Sequence, residues 1–260
     1  GGCMKTITLE PRSGNPRPRL QQLKLNGQEH LINALGLPGV GVHALLQTLQ
    51  TSALINVSCP LGISIGGHSL EDYKQTAEQV IPFLEKHLTQ PYIELNISCP
   101  NTDTGQSLHE NIHDLEALLR FIRSKTDTVV VVKVSPDAPD AQLCDIAACV
   151  KACSAVTINA GNTQFKRCED VGLKPSRVSI GGGGVSGPML FNRTLDMAKL
   201  LSQFKLPLIS TGGITSVDHI IELQKHGVQV VGMATQLVKN PFLVMKMNRA
   251  LRDSSNVSHK

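Results

Sequence analysis

Short, β-branched apolar runs alternate along this chain with longer stretches in which apolar residues recur every three to four positions. The short runs predict strands at Thr6–Leu9, Gly62–Ile65, Tyr92–Ile97, Val129–Val134, Ala155–Asn159, Pro207–Ser210 and Gln229–Gly232. Val129-Val130-Val131-Val132 is apolar without alternation, as expected of a parallel strand covered on both faces. The helix signals between the strands are specific. Ser69-Leu70-Glu71-Asp72 reads as an N-cap with an acidic third position, and Tyr73, Ala77, Val80, Leu84 and Leu88 follow at helical spacing. Ser216 is placed to cap a helix that Gly227 ends, with His226 at its negative end.

Strands alternating with helices predict an α/β fold with parallel strands. Polar and glycine residues gather just after the strands: Asn96 to Asn101, Lys133, Asn159, Thr211-Gly212-Gly213 and Ala234-Thr235. A doubly wound sheet concentrates ligand groups at one switch point, whereas a TIM (β/α)₈-type barrel collects them from nearly every strand end. The second pattern is the one seen. Seven strands are counted where a closed barrel has eight, so either a strand lies in Gly14–Ile32 or the chain starts one βα unit late. The whole of 1–260 is expected to form a single barrel domain with a long inserted loop at about 161–187, in which Ser179-Ile180 and their neighbours form a small hairpin.

Composition narrows the function classes. There is no Trp, and only two Tyr and six Phe, so stacking platforms for nucleic acid are not expected. A net charge of +4 spread along the chain suits anionic small molecules better than a DNA-binding face. No apolar run reaches the roughly 18–20 residues of a membrane span, and Gly1-Gly2-Cys3-Met4-Lys5 is not the apolar block of a signal peptide. Seven cysteines without a CxxC pair point to free thiols and a cytoplasmic setting. Cys144, Cys149 and Cys153 share one helical stretch and read as small core residues rather than zinc ligands, so no metal site is expected.

Cys99 carries the sharpest chemical signal. A lone cysteine is more often a buried hydrophobe, but this one lies between Ser98 and Pro100 directly after a strand, where a base or nucleophile is presented. Asn96, Asn101 and Asn159 are carboxamides at strand ends, able to donate to and accept from a planar ring with alternating N–H and C=O groups. Asn56-Val57-Ser58-Cys59-Pro60 nearly copies the stretch around Cys99, but Cys59 precedes its strand and so belongs to the opposite, structural end. Lys133 interrupts an apolar strand, and a buried ammonium needs an anion or a strong acceptor. Gly181 to Gly184 with Ser186-Gly187, then Gly212-Gly213, then Gly232 to Thr235 form a series suited to cradling a phosphate. Walker, HExxH and GxSxG motifs are absent.

From about Lys5 to Leu251 the chain resembles the dihydroorotate dehydrogenase family of FMN-dependent barrel enzymes of pyrimidine biosynthesis. The likeness rests on Lys5-Thr6, Thr8-Leu9-Glu10-Pro11-Arg12, Gly14-Asn15-Pro16, Asn33-Ala34-Leu35-Gly36-Leu37-Pro38, Glu94 to Asn101, Lys133, Gly184-Val185-Ser186-Gly187-Pro188 and Thr211-Gly212-Gly213. Cysteine at position 99, together with Lys5-Thr6, resembles the soluble class 1 enzymes; class 2 has serine there. The resemblance implies that Cys99 removes the C5 proton of dihydroorotate while the C6 hydride passes to FMN. It implies that Lys5, Asn33, Gly36, Leu37, Asn96, Asn101 and Asn159 hold the substrate. It implies that Lys5, Thr6, Asn96, Lys133, Ser186, Gly187, Thr211, Gly212, Gly213, Ala234 and Thr235 bind FMN, with Lys133 at the ring and the C-terminal residues at the ribityl and phosphate groups. A homodimer is the family habit.

Three departures accompany the likeness. The family begins with a strand and helix ahead of Lys5 that have no counterpart here, in keeping with seven strands rather than eight. Ala160 stands where a hydroxyl residue usually follows the asparagine, which removes one ligand hydrogen bond, about 0.5–1.5 kcal/mol. Ala234 replaces a common glycine. Two other readings compete: a flavin-free phosphate-binding barrel isomerase, and a truncated, inactive barrel that acts as a binding partner. The first leaves the Asn-x-Ser-Cys-Pro-Asn run unexplained.

Overall fold

A computed structural model describes residues 1–97 and 111–257, with side chains through Asp253. In chain order the strands are β1 (Gly2–Ile7), β2 (Leu20–Leu25), β3 (Gln28–Asn33), β4 (Leu61–Ile65), β5 (Pro91–Asn96), β6 (Val129–Val134), β7 (Val156–Ala160), β8 (Gln164–Arg167), β9 (Gly182–Ser186), β10 (Leu208–Thr211) and β11 (Val228–Gly232). The helices are α1 (Val42–Gln50), α2 (Leu70–His87), α3 (Ile112–Arg123), α4 (Asp140–Lys151), α5 (Phe191–Ser202), α6 (Val217–Gln224), α7 (Thr235–Lys239) and α8 (Leu243–Val257). All seven predicted runs are strands. The chain divides into two compact units: Gly1–Pro16, Leu35–Val134 and Ala138–Asn159 form the first, and Arg17–Ala34, Ser135–Asp137 and Ala160–Lys260 the second.

The first unit is a sheet in the order β1-β4-β5-β6-β7, with parallel pairing of β1 to β4, β4 to β5 and β5 to β6. Its apolar layer is continuous: Ile63, Ile65, Ile93, Leu95, Val130 and Val132 are fully buried. Helix α2 forms as its sequence demands. The Ser69 hydroxyl accepts the Asp72 N–H at 3.1 Å, Glu71 and Asp72 occupy the positive first turn, and Lys86 and His87 the negative last turn. Tyr73, Ala77, Val80 and Leu84 form part of its buried face. β1 starts earlier than the predicted Thr6, because Gly2 already pairs with Leu61, and it ends before Thr8, whose hydroxyl bonds the Glu10 carbonyl at 2.7 Å.

The second unit holds the parallel pair β10–β11 and a four-stranded antiparallel sheet in the order β2-β3-β9-β8. Gly14–Ile32 therefore supplies no further parallel strand. It supplies most of a hairpin, turned by Asn26-Gly27 with φ of 49° and 77°, the left-handed pair that a tight two-residue turn requires. The hairpin expected around Ser179-Ile180 is instead the pair β8–β9, and those two residues lie in the connection. The connection packs: Cys168, Val171 and Val178 join Leu23, Ile32, Ala34 and Val185 in one apolar cluster. Ser216 caps α6 through the His219 N–H at 3.2 Å, and Gly227 (φ 79°) follows its end.

Candidate active site

The period-two rule sorts β5 into two faces. Ile93 and Leu95 are buried on the apolar side, so Glu94 and Asn96 point to the other, where they are 4% and 7% exposed. In register, Glu94 lies beside Ser64 and Val131, and Asn96 beside Lys133. Asn96 Nδ2 donates to Thr6 Oγ1 at 3.1 Å, and the Thr6 and Ser64 hydroxyls are 2.9 Å apart. The Tyr73 hydroxyl, from α2, donates to the Asn96 carbonyl at 2.7 Å and fixes the strand end.

The anion that Lys133 requires is Glu94. Lys133 Nζ is 3.6 Å from Glu94 Oε1, and Asn159 Nδ2 donates to Glu94 Oε2 at 3.1 Å. Asn159 is itself buried. Neighbouring parallel strands thus place Asn96, Lys133 and Asn159 at their C-terminal ends, with Lys133 and Asn159 on one buried carboxylate and Asn96 beside Lys133. Lys5 Nζ donates to the Pro38 carbonyl, which ties β1 to the loop of Gly36 and Leu37. That loop is conformationally unusual: Leu37, a non-glycine residue, has φ 52°. Positive φ in such a residue is uncommon and concentrates at functional loops.

The second unit carries a separate group. Asn33, at the end of β3, donates from Nδ2 to the Gly184 carbonyl at 3.1 Å. Thr235 Oγ1, at the start of α7, donates to Ser186 Oγ at the end of β9, 2.8 Å away. Ala234 precedes it and Gly187 follows Ser186. Thr211 closes β10 and leads into Gly212-Gly213. Gly213 (φ 69°) is required as glycine, since a Cβ there would lie 2.2 Å from the Phe191 backbone nitrogen. Phe191 in turn stacks on His219, ring centroids 3.6 Å apart, which holds the turn between β10 and α6.

The structure joins Thr6 to Asn96, Lys133 to Asn159 through Glu94, Lys5 to the Gly36–Pro38 loop, and Ser186 to Thr235. Cys99 and Asn101 lie outside the described residues. Cys59 lies exposed just before β4, at the end opposite to the carboxamides. Ala160 is fully buried at the end of β7. Glu94, Ser64 and Tyr73 join the site although the sequence assigns them no role in it. Glu94 had a signal equal to that of Lys133, a charge inside the apolar run Tyr92–Ile97. Burial pushes the Cys149 thiol up to about 11, with Cys153 and Glu116 adding to it, so this thiol is protonated at neutral pH. Among the described residues no group of three or more His, Cys, Asp or Glu is arranged to hold a metal.

A buried carboxylate paired with a partly exposed ammonium and flanked by carboxamides and hydroxyls suits a flat ring of alternating donors and acceptors. The hydroxyls and glycine turn of the second unit suit a phosphate ester. The comparisons agree in direction. The family model described as dihydroorotate dehydrogenase matches residues 2–254. The catalytic subunit of dihydroorotate dehydrogenase B (NAD(+)) from Halalkalibacterium halodurans is 30% identical over 243 residues, which is 93% of this chain and 76% of that one. Dihydroorotate dehydrogenase (quinone) from Chloroflexus aurantiacus is 30% identical over 273 residues, 97% of this chain and 72% of that one. A crystal structure of DHODH from Eimeria tenella in complex with ferulenol superposes with a TM-score of 0.78 at 20% identity, covering 98% of this chain and 74% of that one. That likeness bears on the fold, which is α/β of the TIM-barrel type. With nearly the whole sequence matched, the chain belongs to the dihydroorotate dehydrogenase family.

Proposed function

We propose that this chain oxidises dihydroorotate to orotate, using FMN, as a class 1-like enzyme. The observation that carries the reading is the Lys133–Glu94–Asn159 group, with Asn96 beside Lys133, at the ends of otherwise apolar parallel strands. Bound FMN supplies a two-electron acceptor for hydride. The donor set fits it: the Ser186 and Thr235 hydroxyls with the Gly212-Gly213 turn for the phosphate, and Lys133 as the cation for the ring.

The chain's own residues do the rest. Asn96 and Asn159 orient the pyrimidine ring by its N–H and C=O edges, with Asn33 and Asn101 as further carboxamides and Lys5 and the Gly36-Leu37 loop at the carboxylate. Cys99 receives the proton from C5 on its sulfur as the C5–H bond breaks. A thiol suits the task, because its free pKa of about 8.5 is within reach of neutrality when cations are near. Lys133 stabilises negative charge that develops beside it, and Glu94, 3.6 Å away, holds that ammonium in place. The free cysteines favour a cytoplasmic setting, and a homodimer follows the family habit. No helix among the described residues is long and apolar enough to cross a membrane.

The test is anaerobic reduction of the FMN-loaded chain by dihydroorotate, followed by loss of the flavin's visible absorption. Cys99→Ser is expected to slow reduction by about 10²–10⁴-fold with FMN still bound. Cys59→Ser is expected to leave the rate unchanged. Absence of bleaching, or equal effects of the two substitutions, would refute the assignment.

A further inference from the structure

His30, in β3, is 2% exposed, and both of its ring nitrogens are committed. Nδ1 lies 3.0 Å from the Gln28 carbonyl, which only accepts, so Nδ1 carries the proton. Nε2 is therefore bare, and it accepts the Met189 N–H at 3.1 Å. The ring also lies against Gly187: a Cβ there would come within 2.7 Å of the imidazole Cδ2, and φ at this glycine is 127°. One buried side chain thus shapes the turn of residues 187–189. Directly before that turn, Ser186 pairs with Leu31 of β3 and accepts the Thr235 hydroxyl. Next to His30, Glu29 pairs with Lys239 at the far end of α7, the helix that Thr235 opens. The Glu29–Lys239 pair is half-exposed and contributes little.

We propose that His30 is a positioning residue that holds the Ser186–Met189 turn in the shape required to take the phosphate of FMN; this rests on the flavin reading above. Without an acceptor at Nε2 the Met189 N–H loses its partner, and the turn is free to leave that shape. The chemistry assigned to Cys99 does not involve His30.

The test uses the whole chain as wild type, His30→Leu, His30→Gln, His30→Asn and Thr235→Ala. Amide exchange over residues 186–192 is followed without flavin, and FMN affinity is followed by quenching of flavin fluorescence. His30→Leu is expected to speed exchange at Met189 and to weaken FMN binding about tenfold. His30→Gln, whose amide oxygen reaches the place of Nε2, is expected to restore both to within about threefold of wild type. His30→Asn, which reaches only the place of Nδ1, is expected to behave like His30→Leu. If His30→Leu does not fold, the contrast between the glutamine and asparagine variants carries the test, and equal behaviour of those two overturns the proposal. FMN affinity unchanged in His30→Leu but lowered in Thr235→Ala overturns the positioning role and leaves the flavin reading standing. A wild-type chain that takes up no FMN overturns the flavin reading itself.

Discussion

Ser210 is fully buried in β10, and its hydroxyl has no hydrogen-bond partner among the described residues. A buried hydroxyl without a partner costs free energy that alanine avoids, so Ser210→Ala is expected to be neutral or up to about 1 kcal/mol more stable in urea unfolding. The Lys133–Glu94 pair behaves in the opposite sense. Lys133→Met leaves a carboxylate that is 4% exposed without its cation, and a loss of about 3–5 kcal/mol is expected. Adding Glu94→Gln removes the orphaned charge, and most of that loss is expected to return. A double variant no more stable than Lys133→Met alone would show that the two groups are not coupled. At this scale the sequence was uneven. Lys133 announced itself as a charge in an apolar run, while its partner Glu94 lay inside a motif and drew no separate attention. Ser210 had no signal, since whether a hydroxyl finds a partner depends on neighbours distant in sequence.

At the scale of elements, caps and turns were the most legible features. Ser69 and Ser216 cap the helices their spacing predicted, because an N-cap is a contact between residues only three apart. Ser69→Ala is expected to cost about 1 kcal/mol, read as a lower urea midpoint with an unchanged slope. The seven parallel strands were legible because runs such as Val129–Val134 have no polar face to confuse their period. The β2–β3 hairpin is marked in the sequence only by Asn26-Gly27, since its flanking strands lack the apolar run of a barrel strand. Its strands, Leu20–Leu25 and Gln28–Asn33, mix polar and apolar residues as a half-exposed antiparallel sheet does. The same holds for β8 and β9, where Gly182-Gly183-Gly184 reads as loop until its pairing with Phe165 to Arg167 is known.

For the whole molecule, ligand binding and stability are linked. If the cradle of Ser186, Thr235 and the Gly212-Gly213 turn takes FMN, then FMN at a hundredfold its Kd adds about 2.7 kcal/mol, or roughly 5–10 °C in Tm for a chain of this size. Ribose 5-phosphate, which offers the phosphate without the ring, is expected to give a smaller shift at the same concentration. Equal shifts would favour the flavin-free phosphate-binding isomerase, since Lys133 and the carboxamides would then contribute nothing to affinity.

What the sequence determined by itself was local or periodic: the strand–helix alternation, the caps, the cysteine and carboxamides at strand ends, and the family likeness. These depend on residues a few positions apart, and so they are written in one dimension. The tertiary structure decided which groups meet. It set Glu94 between Lys133 and Asn159 from three different strands, and Tyr73 of α2 on the carbonyl of Asn96. It brought His30 to Met189 across 159 positions of chain. Buried charges and bare acceptors must find partners, and strand register selects the partner from residues that have no sequence relation to one another.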